Sequence, residues 1–107
     1  MLFRFKSKAT GDLTMLGHDA QHVLRLWGKE ETGPGVLLVE EMDAAAAALV
    51  AEADREEQAV IEAKAQAKEN HEPEPQLPPV TWRARIQPML KTLEYCKAED
   101  APLRWEN

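Results

Sequence analysis

The chain has 107 residues, and its 19 acidic and 13 basic side chains give it a formal net charge of −6 at pH 7. This length predicts a single domain. The acidic excess lies in residues 40–75, which carry eleven acidic and three basic side chains. Because such a segment repels phosphate, nucleic acid and anionic membranes are excluded as its expected partners.

The cysteine content and the apolar runs of the sequence bear on disulfides, metal clusters and membrane spans. Cys96 is the only cysteine, so neither an internal disulfide nor a cysteine-based metal cluster is expected. The N-terminus has no apolar run of the signal-peptide kind, and the longest strongly apolar run, residues 36–39, is far shorter than the roughly 20 residues that span a bilayer. We therefore expect a cytoplasmic protein with no membrane partner. No motif predicts a cofactor or identifies a small-molecule ligand.

The chain begins with an alternating pattern. Phe3 and Phe5 fall on one face and Arg4 and Lys6 on the other, which predicts a half-buried strand at Leu2–Ser7 that ends before a break at residues 10–12. Residues 13–16 allow two interpretations, a short strand beside the first or the first turn of a helix.

Two helices are predicted in the middle of the chain. Over residues 18–28, apolar side chains recur at helical spacing and Gly28 suits the helix end. A very short strand is predicted at residues 36–39. A long helix is predicted over residues 41–69, since acidic residues suit its first turn and five consecutive alanines follow. Its apolar stripe thins after Asp54, so the second half is expected to project into solvent.

The C-terminal part completes the predicted fold. Four prolines in residues 70–79 predict a flexible linker within the single domain 1–107. A third helix is predicted over residues 81–98, with Thr81 as its N-cap and a kink at Pro88, and Leu103–Glu106 alternates like a strand. The prediction is an α+β fold in which the N- and C-terminal strands share one small sheet and about three helices cover it. The pattern leaves open whether these strands run parallel or antiparallel.

Three stretches of the chain carry a family resemblance. They are residues 5–17 with 23–28 (FKSKATGDLTMLG and VLRLWG), residues 32–38 (TGPGVLL), and residues 80–93 (VTWRARIQPMLKTL) with Arg104 and Trp105. The chain resembles a family of short proteobacterial proteins that is known only as a domain of unknown function. The resemblance implies a shared fold but no activity, cofactor or catalytic residue, and family members usually lack His18 and His22.

His18 and His22 are the candidate metal ligands, because two histidines four residues apart on a helix can bind one zinc ion. On a helical wheel they lie about 160° and 200° from Ala20, away from the apolar stripe. A zinc site needs a third and a fourth ligand, and the nearby sequence supplies none. Two solvated histidines are therefore the favoured interpretation, with a metal-binding sensor or enzyme as the alternative function.

The other chemically notable residues favour structural roles. Cys96 lies on the apolar stripe of the last helix, so a buried thiol is favoured over a nucleophile. Trp27, Trp82 and Trp105 are interpreted as core residues, and the many carboxylates as a solvated helix face rather than an acid–base pair. No catalytic, cofactor-binding or metal-binding residue is predicted.

Four basic residues lie near the two ends of the chain: Arg4, Lys6, Lys8 and Arg104. If the terminal strands pair, these side chains would lie together on the outer face of the sheet. Such a face could dock an acidic partner or the acidic helix of a second copy. Edge strands also carry lysine to discourage aggregation, and this is the favoured explanation.

The predicted function is that of a small, non-catalytic interaction protein. Its acidic, alanine-rich helix would offer a thin apolar stripe to a protein partner or to a second copy. The predicted contact residues are Leu49, Ala53, Val60 and Ile61.

Overall fold

The alternating N-terminal residues form strand β1 (Leu2–Ser7) in the computed structural model of the chain, which describes residues 1–76 and 79–107. This strand lies between β2 (Thr10–Leu16) and β4 (Leu103–Glu106), and β3 (Gly35–Leu37) pairs with the other side of β4. The strand order is β2-β1-β4-β3, and every pair is antiparallel. The predicted sheet of terminal strands is therefore confirmed, and its direction is antiparallel.

Residues 13–16 belong to β2, so the strand interpretation of this segment is correct. The break predicted at residues 10–12 is wrong by a few residues: Lys8 and Ala9 form the turn, and β2 begins directly after it. The hydroxyl of Ser7 accepts a hydrogen bond from the backbone N–H of Ala9 at 3.2 Å and so supports this tight turn. A glycine is therefore not required at the turn itself.

Three helices connect and cover the strands in the described residues. They are α1 (Gly17–Leu26), α2 (Met42–Glu69) and α3 (Trp82–Ala98), within two residues of the predicted bounds. Thr81 caps α3 as predicted, because its Oγ1 accepts a hydrogen bond from the N–H of Ala84 at 3.2 Å. The last helix continues through Pro88, and the kink expected there stays a prediction.

All three helices end in the same way. A residue in the left-handed region follows each C-cap, and the next N–H bonds to a carbonyl five residues earlier. The left-handed residues are Gly28 (φ 70°), His71 (φ 55°) and Asp100 (φ 53°). The closing bonds run from Lys29 to Leu24 (2.8 Å), from Glu72 to Ala67 (2.8 Å) and from Ala101 to Cys96 (2.9 Å). Gly28 thus ends α1 as predicted, whereas the other two helices end without glycine.

The helices cover one face of the sheet. α1 contacts β1 and β2, α3 contacts β2, and α2 packs against α1 and α3. The inward side chains of the strands are buried beneath them, and the core they form includes Phe3, Phe5, Leu37, Leu103 and Trp105. The three tryptophans pack in or against this core as predicted: Trp82 and Trp105 are buried and Trp27 is partly buried.

The predicted linker is described only in part. Residues 77 and 78 lie outside the described residues, and residues 72–76 form neither helix nor strand. Among the residues that the structure describes, no helix combines the length and the apolar character that crossing a membrane requires.

Candidate functional site

A polar cluster joins the three helices around His22. The imidazole Nε2 of His22 lies 2.6 Å from Oε2 of Glu52 on α2. The ring also stacks on the indole of Trp82 on α3, with 4.2 Å between the ring centroids. His22 is thus half-buried between the helices, with its side chain 34% exposed, whereas the sequence predicted a solvated histidine. The helical wheel placed His22 on the side of α1 opposite its apolar stripe. In the structure, residues of α2 and α3 contact His22 on that side of the helix.

The two predicted metal candidates are not brought together as a metal site. His18 has an exposed side chain, with Asp19 3.5 Å from its Nε2, whereas His22 is paired with Glu52. Within residues 1–76 and 79–107, no three His, Cys, Asp or Glu side chains are grouped as ligands for one ion. His22 instead contacts Glu52 of α2 and Trp82 of α3.

Cys96 is fully buried, as predicted, on the inner side of α3. Many of the carboxylates of the acidic segment are engaged in separate ion pairs: Glu41 with Lys29, Glu52 with Arg55, and Glu57 with Arg83. The Arg83 guanidinium lowers the pKa of Glu57. Each of these three carboxylates has a basic partner, which favours a structural role.

The far half of α2 forms an arm that extends beyond the rest of the domain. Where α3 begins, Arg83 binds Asp54 and Glu57, with N–O distances of 2.6 Å to each, and the N–H of Trp82 donates to Glu56 at 3.1 Å. After these contacts α2 continues for twelve residues, about 18 Å. We call residues 58–76 the arm, which comprises this helical part and the extended segment that follows it.

The predicted contact residues on α2 divide between the core and the arm. Leu49 and Ala53 are 0% and 1% exposed, so the prediction that they offer a free face is wrong. They pack in the core because α3 and α1 cover this part of α2. Val60 is half-buried and Ile61 is 60% exposed, so of the four predicted contact residues Ile61 is the one that remains largely open.

The outer face of the sheet carries the basic group that the sequence indicated. Arg4, Lys8 and Arg104 are exposed, and Lys6 forms an ion pair with Glu106 at 2.8 Å. This contact lowers the pKa of the Glu106 carboxyl. Among the described residues no ion-pair partner is seen for Arg4, Lys8 or Arg104. We call these four basic residues the basic face.

The explanation of the basic face as edge protection is wrong, because β1 and β4 are the two central strands of the sheet. Lys6 and Arg104 are also direct cross-strand partners, and like charges directly opposite each other destabilise a sheet. Glu106 offsets part of this repulsion, because it forms an ion pair with Lys6 and is the direct cross-strand partner of Arg4.

A groove of about 730 Å³ runs beside the basic face. Its charged lining residues are Lys6, Lys8 and Arg104 and the acidic Glu99, Asp100 and Glu106, so basic and acidic side chains are equal in number there. This volume falls in the range of small-molecule sites. Trp105 also lines the groove, and its indole N–H is buried without a hydrogen-bond partner in the described residues.

Besides the pair of His22 with Glu52, two contacts between α1 and α3 were missed from the sequence. They are the stack of His22 on Trp82 and the ion pair of Asp19 with Arg85 at 3.0 Å. Each joins residues at least 60 positions apart, so no local spacing reports them. The only sequence signal was the position of Trp82 at the start of a helix with an apolar face.

Comparison with known proteins identifies a family but no activity. A family model described as a domain of unknown function (DUF1840) matches residues 1–105 of the chain. No curated protein and no solved structure matches.

Proposed function

The chain belongs to the DUF1840 family, a domain of unknown function. We propose that it is a small, non-catalytic interaction protein. The arm is its principal binding element. The observation that carries the proposal is that α2 continues for twelve residues beyond Glu57, whose carboxylate binds Arg83 of α3, and exposes Ile61 there.

Helix propensity supports the arm as a preformed binding element. Alanine, glutamate, lysine and glutamine make up most of its helical part, and these residues favour helix without tertiary contacts. A helix that is already formed loses little conformational entropy when it binds. Burial of Ile61 contributes at most about 3 kcal/mol, so the charged residues of the arm are expected to set the choice of partner and the association rate.

The proposed setting is the cytoplasm of a proteobacterium. The family resemblance supports the source, and a single buried thiol is consistent with a reducing compartment. The proposed partners are a protein or a second copy of the chain, with nucleic acid disfavoured by the acidic segment.

Native mass spectrometry of the protein isolated gently from its own cells tests the proposal. We expect a bound protein or a second copy, and loss of that species in Ile61→Glu. Tyr95→Glu is the matched control, because Tyr95 is also a large exposed side chain but lies on α3. Equal retention in both variants, or a monomer with no bound protein, would contradict the proposal. A stoichiometric small molecule or metal would instead favour an enzyme or a sensor.

A further inference from the structure

We propose that the extended acidic segment of the arm, residues 72–76, docks on the basic face of a second copy of the chain. This inference rests on the proposed function, since it names the partner of the arm. The basic face is defined by Arg4, Lys6, Lys8 and Arg104, and the segment has the sequence EPEPQ.

The charges of the two surfaces are complementary. Residues 69–76 carry Glu69, Glu72 and Glu74 and no lysine or arginine. Glu72 and Glu74 are exposed, and no ion-pair partner is seen for either among the described residues. Glu72 and Glu74 line one depression together with Lys64 and Lys68 of α2, so the lysines of the arm lie in its helical part, which is the less acidic part. The extended segment is therefore the part that best complements a basic surface.

The spacing of the charges also agrees. Glu72 and Glu74 are two residues apart in a chain with no helix or turn, which separates them by about 6–7 Å. Arg4 and Lys6 are two residues apart on β1, also about 7 Å. Lys6 is held by Glu106 of its own chain at 2.8 Å, so within the described residues Arg104 is the member of this cross-strand pair that is left for a carboxylate of the second copy. The groove beside them offers room for an extended peptide.

The geometry of the domain favours a second copy over the same chain. α2 packs with α1 and α3 on the inner side of the sheet, and the basic face lies on the outer side. The arm would have to pass around the sheet to reach its own basic face. Two copies can instead exchange arms about a two-fold axis, so that each arm covers the face of the other copy and the assembly closes.

Sedimentation velocity over a concentration series tests the inference, with charge reversal on each surface. Arg4→Glu/Arg104→Glu reverses the face, and Glu72→Lys/Glu74→Lys reverses the segment. Each pair alone is expected to weaken the dimer by about tenfold or more, since two exposed ion pairs become repulsive. Mixing the two variants is expected to restore the dimer. In the mixed dimer the reversed segment of one copy meets the reversed face of the other, and the second contact joins two native surfaces. High salt weakens the native dimer, since a Debye length of about 3 Å at 1 M screens exposed charges.

Matched controls are Lys91→Glu and Glu94→Lys, two exposed charges on α3, which are expected to leave the dimer unchanged. If the doubly reversed face unfolds, Arg4→Gln/Arg104→Gln removes the same charges with less repulsion and is expected to weaken the dimer in the same direction.

Two results would overturn the inference: a monomer at the highest soluble concentration in low salt, or variants that dimerise alone as well as in the mixture. Either result leaves the proposed function standing if Ile61→Glu still removes a different protein partner. Loss of both the dimer and every arm-dependent partner would overturn the two proposals together.

Discussion

The imidazole of His22 stacks on the indole of Trp82, with ring centroids 4.2 Å apart and 33° between the ring planes. The Nε2 atom of the same ring lies 2.6 Å from the carboxylate of Glu52. One half-buried side chain on α1 thus contacts both α2 and α3. This relationship makes His22 a stabilising residue of the helical layer.

We expect His22→Ala to lower the free energy of unfolding by about 1–2 kcal/mol, because it removes the ring contact and the hydrogen bond to Glu52. His18→Ala is the matched control on the same helix, and its exposed side chain predicts a change within about 0.5 kcal/mol. Urea unfolding monitored by tryptophan fluorescence measures both. Equal effects of the two substitutions would contradict the structural role of His22.

Glu52 is expected to make stability depend on acid. Its hydrogen bond with His22, followed by that with Arg55, lowers the pKa of its carboxyl below the ordinary 4.5. The folded state then binds fewer protons than the unfolded state, so ionised Glu52 stabilises the fold. Its contribution to the free energy of unfolding is fully present above the ordinary pKa of 4.5 and is lost as the pH falls through the lower pKa of the folded state.

The difference in unfolding free energy between the native protein and Glu52→Gln should therefore shrink as the pH falls from about 6 to about 3. Denaturant titrations at several pH values measure it, and subtracting the two proteins removes the effect of the other carboxylates. A difference that stays constant across this range would refute the assignment.

The boundary between domain and arm predicts opposite outcomes for two aliphatic residues of α2. Leu49 is fully buried, so Leu49→Ala should cost about 2–5 kcal/mol. Ile61 is mostly exposed, and alanine favours helix more than isoleucine, so Ile61→Ala should change stability by less than about 0.5 kcal/mol. Thermal unfolding followed by circular dichroism compares them. A large loss in Ile61→Ala would mean that the arm is packed.

Gly35 is required by its contact with Trp105. A Cβ atom at Gly35 would lie 2.4 Å from Cε2 of the indole, so Gly35→Ala must displace either the ring or β3. We expect a loss of about 1–3 kcal/mol in unfolding free energy. Gly11→Ala is the control, because its added Cβ meets no atom within 4 Å. If the two variants unfold at the same denaturant concentration, the close contact is not present in solution.

Cys96 offers a test of the core without any substitution. The thiol is fully buried, so a thiol reagent should label it only when the domain opens. The native labelling rate is expected to be at least about a hundredfold below the rate in denaturant. Labelling at nearly equal rates would place the thiol at the surface.

Much of the fold follows from local patterns. The alternation of Phe3 and Phe5 with charged neighbours predicts β1 to the residue, and the same pattern predicts β4. Gly28 and Thr81 mark helix ends because their conformational and hydrogen-bonding properties act within a few residues. The ends at His71 and Asp100 were not marked in this way, because residues other than glycine take the left-handed conformation there.

The order, type and approximate bounds of the elements thus follow from local patterns, since period, capping and propensity are local properties of the chain. The tertiary structure decided which surfaces remain open. Leu49 and Ile61 belong to the same predicted stripe, yet α3 covers only the first. Arg4 and Arg104 lie on central strands only because β2 and β3 add to the two sides of the terminal pair. Both outcomes depend on contacts between residues far apart in the chain, which no local pattern encodes.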